Sequence, residues 1–176
     1  MVALSNISDT LITTYLEMTE PDQIRDKFVP RDDASIEVMN EPDVRFYRFL
    51  YHAVGEKWRW RDRLEMSSSE LQAILAKPTT TVHVLYVDGS PAGYVELSKT
   101  GDSVEIAYFG LREAYHGRGL GKHLLSYGIE QAWALGAKRV WLHTCNLDGP
   151  HALSNYQKRG FKVYMRHSEP MPEHYF

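Results

Sequence analysis

The stretch "EIAYFGLREAYHGRGLGKHLL", residues 105–125, places the tightest limit on how this chain can fold. An apolar, aromatic run stops near Leu111, then Gly117, Gly119 and Gly121 alternate, and Leu120, Leu124, Leu125 and Ile129 begin a helical spacing. Strand, bare turn and helix therefore follow one another directly. A helix N-terminus exposes unpaired N–H groups and carries partial positive charge. Glycines let an anion come close to those groups. The stretch is expected to cradle a phosphate, with Arg118 and Lys122 as cationic neighbours.

The rest of the chain sets the surroundings of that turn. Residues 11–18 are β-branched and aromatic and read as a strand, and the proline-marked stretch 20–34 reads as loop with one helical turn at most. After Asp43, Phe46, Phe49, Leu50 and Val54 fall at helical spacing. Residues 57–66 look irregular, and 67–76 form a short serine-capped helix. Strands over 80–87, 92–99 and 102–111, joined by Asp-Gly-Ser and Thr-Gly-Asp turns, make an antiparallel meander. The glycine-initiated helix ends near Gly136. A strand (139–145), a helix (150–159) with Pro150 in its first turn, and a last strand (161–167) complete the chain. A length of 176 residues suits one domain, so residues 1–176 are expected to form a single α+β unit around a mixed sheet.

Two common phosphate motifs fail against the letters. A Walker A loop would need Ser or Thr where His123 stands and Gly where His116 stands. A dinucleotide fingerprint would place its third glycine at Lys122 or Leu124, after strands of the wrong kind. The stretch instead resembles the acyl-CoA-binding segment of the GNAT superfamily of N-acyltransferases. Their pattern, Gln or Arg, two residues, Gly, one residue, then Gly or Ala, is matched by His116-Gly117-Arg118-Gly119-Leu120-Gly121, with His in the first place. A second motif, Ala152, Tyr156, Gly160 and Phe161, follows at the family's spacing. The resemblance covers residues 80–167, the expected acyl-CoA-binding core, and leaves 1–79 as a variable acceptor-side part.

That resemblance implies a mostly antiparallel sheet of about seven strands flanked by helices, splayed between the family's fourth and fifth strands. It implies acetyl-CoA as acyl donor, with pyrophosphate on the amides of residues 116–122 and a Leu111 amide on the thioester carbonyl. Tyr156 is the expected general acid for the leaving thiolate and Glu105 the candidate base. Each has a plainer alternative: Tyr156 as core, and Glu105 as a solvated or arginine-paired carboxylate. The family's usual Asn lies seven residues before the tyrosine, where this chain has Gly149; Asn146 stands nearby as a substitute. His143 and Cys145 share one strand face. A buried thiol beside a hydrogen-bonded imidazole accounts for them better than a covalent intermediate does.

Acceptor recognition is expected from the aromatic, arginine-rich segment 40–66. Tyr47, Tyr51, Trp58, Trp60 and Arg61 are the candidates, with Arg59 and Arg63 able to take an acceptor carboxylate in a fork. The alternative is that the tryptophans are core and the arginines surface. The expected reaction moves an acetyl group to a primary amine of a small molecule or peptide. A non-catalytic acyl-CoA sensor or a degenerate acyltransferase is the competing reading. A net charge of −3 speaks against a nucleic-acid partner. The eight histidines show no metal-ligand spacing, and no apolar run is long enough for a membrane. One cysteine and an N-terminus unlike a signal peptide suggest the cytoplasm. A homodimer is expected by family analogy alone.

Overall fold

The computed structural model describes residues 8–175. Its centre is the meander β3 (Thr80–Val87), β4 (Ser90–Thr100) and β5 (Ser103–Leu111), preceded by β1 (Thr10–Met18), β2 (Ser35–Val38), α1 (Val44–Gly55), α2 (Asp62–Glu65) and α3 (Ser68–Leu75). It is followed by α4 (Leu120–Ala134), β6 (Arg139–Cys145), α5 (Ala152–Lys158) and β7 (Lys162–Pro170). The seven strands form one sheet in the order β2-β3-β4-β5-β6-β1-β7. All neighbours are antiparallel except β5 and β6.

Local chemistry accounts for most boundaries. Asp88 and Gly89 both take positive φ (50° and 77°), the backbone that a two-residue hairpin with right-handed strand twist demands. Asp43 caps α1 by accepting from the Phe46 amide at 2.9 Å. Ser67 and Glu70 exchange bonds in a capping box at the start of α3. Three expectations need correction. Pro150 precedes α5, which starts at Ala152, and does not lie in its first turn. Residues 57–66 contain a 3-10 turn ending at Trp58 and the short α2. The strand β2 was not expected: the alternation of Ser35-Ile36-Glu37-Val38 is only four residues long, and these mostly exposed residues take up the ladder along the β3 edge through a long-range pairing.

Two apolar layers sandwich the sheet. On one face α4 supplies Leu120, Leu124, Leu125, Ile129 and Ala132 against Leu97, Val104 and Ile106. On the other, α1 and α3 bring Tyr47, Leu50, Tyr51, Val54 and Leu71 onto Val82, Val84 and Tyr94. The parallel pairing of β5 with β6 runs only from Ser103↔Arg139 to Glu105↔Trp141. Beyond it the two strands separate, as the family pattern implies. The β5 edge from Ile106 to Leu111 has no β6 partner and faces a gap.

Candidate active site

The gap opens into a cavity of about 720 Å³. Its floor is β5 from Glu105 to Leu111; one wall is Tyr51, Val54, Trp58, Arg59, Trp60, Asp62 and Arg63; the opposite wall is His143, Cys145, the 147–151 loop and α5. His116, Gly117 and Gly121 stand at one end and Tyr175 at another part of the rim.

A single extra residue sets which β5 side chains reach this space. The ladder pairs Leu97 with Ile106 and then Glu96 with Tyr108, leaving Ala107 as a bulge. Glu105 thus stands opposite Ser98 and Tyr108 opposite Glu96, on one face of the sheet, while Ile106 and Phe109 stand opposite Leu97 and Val95 and pack in the α4 layer. Strict alternation would have put residues 105 and 108 on opposite faces.

Past Leu111 the chain makes a 3-10 turn (Glu113–Tyr115), and the His116 ring, protonated at Nε2, donates to the Leu111 carbonyl at 3.1 Å. This ties the end of β5 to the start of the glycine turn. Gly117 and Gly119 take φ of 76° and 73°, the left-handed region that side chains resist. Helix α4 starts directly after Gly119, with the His123 amide making its bond to the Gly119 carbonyl at 3.2 Å. The amides ahead of His123 have no acceptor one turn back within the helix. The expected cations are placed differently. Arg118 is exposed with its guanidinium 5.9 Å from the Tyr115 ring centre, and Lys122 pairs with Asp26 at 3.2 Å. Leu120 is fully buried in the core, so its role toward a ligand is limited to its backbone.

Glu105 has a half-buried carboxylate whose Oε1 lies 3.7 Å from His143 Nε2. Burial raises its pKa above the usual carboxylate value, the nearby Glu96 charge raises it further, and Arg63 opposes both. Burial lowers His143, which favours the neutral imidazole. Burial and then the Asp148 charge raise Tyr156, so its hydroxyl keeps its proton at neutral pH. Cys145 is pushed up to about 11 by burial and Asp148, which leaves a neutral thiol and no activated nucleophile. Asp148 itself holds the loop after β6: Thr144 Oγ1 donates to its Oδ2 at 2.5 Å and the Cys145 amide at 3.0 Å.

Several expected site residues lie elsewhere. Tyr47 is fully buried under α1, with its hydroxyl donating to Glu96 Oε2. Arg61 is exposed and is not part of the cavity wall. Asn146 spends its side chain on β1, accepting from the Ile12 amide and donating to the Thr10 carbonyl, both at 2.9 Å. Tyr51, Trp58 and Trp60 do line the cavity. So does Gly149, and a Cβ there would lie 3.2 Å from the Trp58 ring. The indole of Trp58 thus packs against the position where the family pattern has Asn. Asp62, Asp148 and Tyr175 also line the cavity and were missed by sequence reasoning. No motif marks them, because they meet only when the α1–α2 segment, the β6–α5 loop and the chain end are brought together.

Residues 44–161 match the sequence profile of the Acetyltransferase (GNAT) family. The chain belongs to the GNAT acetyltransferase family. Among GNAT relatives, the mycothiol acetyltransferase of Corynebacterium efficiens is 37% identical over 89 residues, 50% of this chain and 30% of that protein. The uncharacterized N-acetyltransferase YvbK of Bacillus subtilis is 39% identical over 70 residues, 40% of this chain and 44% of that protein. The chain thus matches less than half the length of these curated relatives. A solved Bacillus subtilis acetyltransferase in complex with CoA superposes with a TM-score of 0.58 at 27% identity, covering 75% of this chain and 78% of the other. Among the described residues no cluster of His, Cys, Asp or Glu is placed to hold a metal, and no helix is long and apolar enough to cross a membrane.

Proposed function

We propose that the chain is an N-acetyltransferase that moves the acetyl group of acetyl-CoA to a primary amine by direct attack. The observation that carries this reading is that one cavity, opened by the separation of β5 from β6, is lined at once by Glu105, the glycine turn and Tyr156. The amides of residues 117–122 at the start of α4 would receive the pyrophosphate, and the pantetheine arm would follow the unpaired β5 edge toward Glu105. The donor fits: the glycine turn carries no side chain at Gly117, Gly119 or Gly121, and the fold is shared with an acetyltransferase that binds CoA.

The acceptor nitrogen attacks the thioester carbonyl carbon, and the Leu111 amide stabilises the developing oxyanion. The amine proton passes to Glu105, directly or through one water, because an alkylammonium near its ordinary pKa of ~10 offers almost no free electron pair at neutral pH. As the C–S bond breaks, the Tyr156 hydroxyl gives its proton to the sulfur and regains one from the nitrogen of the adduct, while the proton taken up by Glu105 leaves to solvent. The products are an acetamide and CoA thiol. No covalent enzyme intermediate is needed, in keeping with the neutral Cys145 thiol. The cytoplasm is the proposed location.

Calorimetric titration with acetyl-CoA tests the donor site, with NAD as control, and thiol release in the presence of amines tests transfer. Micromolar-scale binding of acetyl-CoA, about −8 kcal/mol, with none for NAD is expected. Binding without thiol release for any amine would leave an acyl-CoA sensor. No binding at all would remove the cradle reading.

A further inference from the structure

The charges around the acceptor end of the cavity are unevenly committed. Two arginines line it, Arg59 and Arg63, and both are engaged within the protein. Arg63 Nη2 donates to the buried Glu96 carboxylate at 2.8 Å, and its guanidinium lies 5.2 Å from the Tyr108 ring centre. Arg59 donates to the Tyr175 backbone carbonyl. An incoming carboxylate would have to take Arg63 away from Glu96, leaving a buried acid without its cation, which is the costly half of breaking such a pair. Arg63 is therefore not on offer for the fork expected from the sequence, and Arg59 has one donor already spent on the Tyr175 carbonyl.

The carboxylates are differently placed. The Asp62 side chain is half exposed, with His174 Nε2 3.8 Å from its Oδ1. It lines the same cavity as Tyr51, Tyr108, His143, Cys145 and Tyr175. Glu105 lies on the floor below. The same cavity is lined by rings: Trp60 and Tyr108, with centroids 5.3 Å apart and both packed on the buried Tyr51, together with Trp58 and Tyr175. Rings of this kind accept an aromatic body through edge-to-face contacts and attract a cation to their faces.

Resting on the acetyl-transfer reading, we infer that the acceptor is a primary amine on an aromatic body with no carboxylate, an arylalkylamine. Asp62 holds its ammonium end on approach, the ring cluster takes its body, and Glu105 receives the proton. Amino acids are disfavoured because their carboxylate meets Asp62, Glu105 and Asp148, with Arg63 held by Glu96 and Arg59 already donating to the Tyr175 carbonyl. Asp62 is thus a specificity-determining residue.

2-Phenylethylamine and phenylalanine differ at this end by one carboxylate, and putrescine keeps the amines without the ring. Each is titrated calorimetrically into the protein saturated with CoA, so the result does not depend on turnover. At least tenfold tighter binding of 2-phenylethylamine than of either other compound is expected, with its lead over phenylalanine reduced several-fold in Asp62→Asn. Equal or tighter binding of phenylalanine or putrescine overturns the inference, as does no binding of 2-phenylethylamine or an unchanged preference in Asp62→Asn. Thiol release from acetyl-CoA is read separately. Tight 2-phenylethylamine binding with no release for any amine removes the transfer reading and leaves the binding preference standing. Faster acetylation of phenylalanine removes the preference and leaves transfer intact.

Discussion

As the proposed base, Glu105 meets two opposed demands. A base must be ionised to take a proton, yet burial and the Glu96 charge disfavour its ionised form. Replacing it by Gln is expected to lower kcat by about 10²–10⁴ and to remove the acid limb of the pH–rate profile, which in the parent protein lies above the ordinary carboxylate range. The stability effect has the opposite sign. A carboxyl whose pKa is raised on folding favours the fold below its unfolded value and loses that contribution as pH rises through the folded value. Glu105→Gln is therefore expected to raise Tm at pH 7 relative to the parent and to differ little near pH 4. A thermal scan at both pH values reads this directly, and a lower Tm at pH 7 would count against the burial argument. Tyr156→Phe separates binding from chemistry. Turnover should fall by roughly 10²-fold or more while acetyl-CoA affinity measured by calorimetry stays the same. Equal rates would remove the acid assignment. Tyr156 stands in the second family motif and Glu105 in the strand before the first, which is why the sequence nominates both. What could not be read was that Glu105 shares a face with Tyr108, because the Ala107 bulge breaks the alternation between them.

At the scale of elements, the contact between Trp58 and Gly149 joins the α1–α2 segment to the loop entering α5. The indole sits so close that an added Cβ would meet it at 3.2 and 3.4 Å, tighter than ordinary contact. Gly149→Asn is expected to displace the ring, lowering Tm and changing tryptophan emission. In a Trp58→Ala background the same change should cost little, so the two substitutions should couple strongly in a double-mutant cycle. Additive effects would show that the Asn is tolerated for another reason. The absent Asn was visible in the sequence at once. Its replacement by a ring 91 residues earlier was not, since only the folded chain brings residues 58 and 149 together. The β2 strand was hidden for a related reason: its partner on β3 lies far along the chain, and its alternation runs for only four residues.

Across the whole molecule, Arg63 and Glu96 tie the helical layer to the sheet through a buried ion pair. Tyr47 adds its hydroxyl to the same carboxylate, so helix α1, helix α2 and strand β4 share one polar centre inside an apolar layer. Arg63→Met should cost about 3–5 kcal/mol, because it leaves a buried carboxylate unpaired, whereas Arg63→Met combined with Glu96→Leu should recover most of that loss. Urea unfolding of the two variants checks it; equal losses would mean the pair is not the source. This centre also spends the arginine that sequence reading had reserved for an acceptor. The chain's own letters were sufficient for what depends on near neighbours: the hairpin turns, the helix caps, the glycine turn before α4 and the position of Tyr156. Those features follow from backbone conformations and hydrogen bonds made within a few residues. Tertiary structure alone decided which face Glu105 shows, which arginines remain for a ligand, where Tyr47 and Asn146 spend their polar atoms, and which rings and carboxylates surround the acceptor. Each of these is a contact between distant segments, and pairing energy inside a closed core depends on all the partners present.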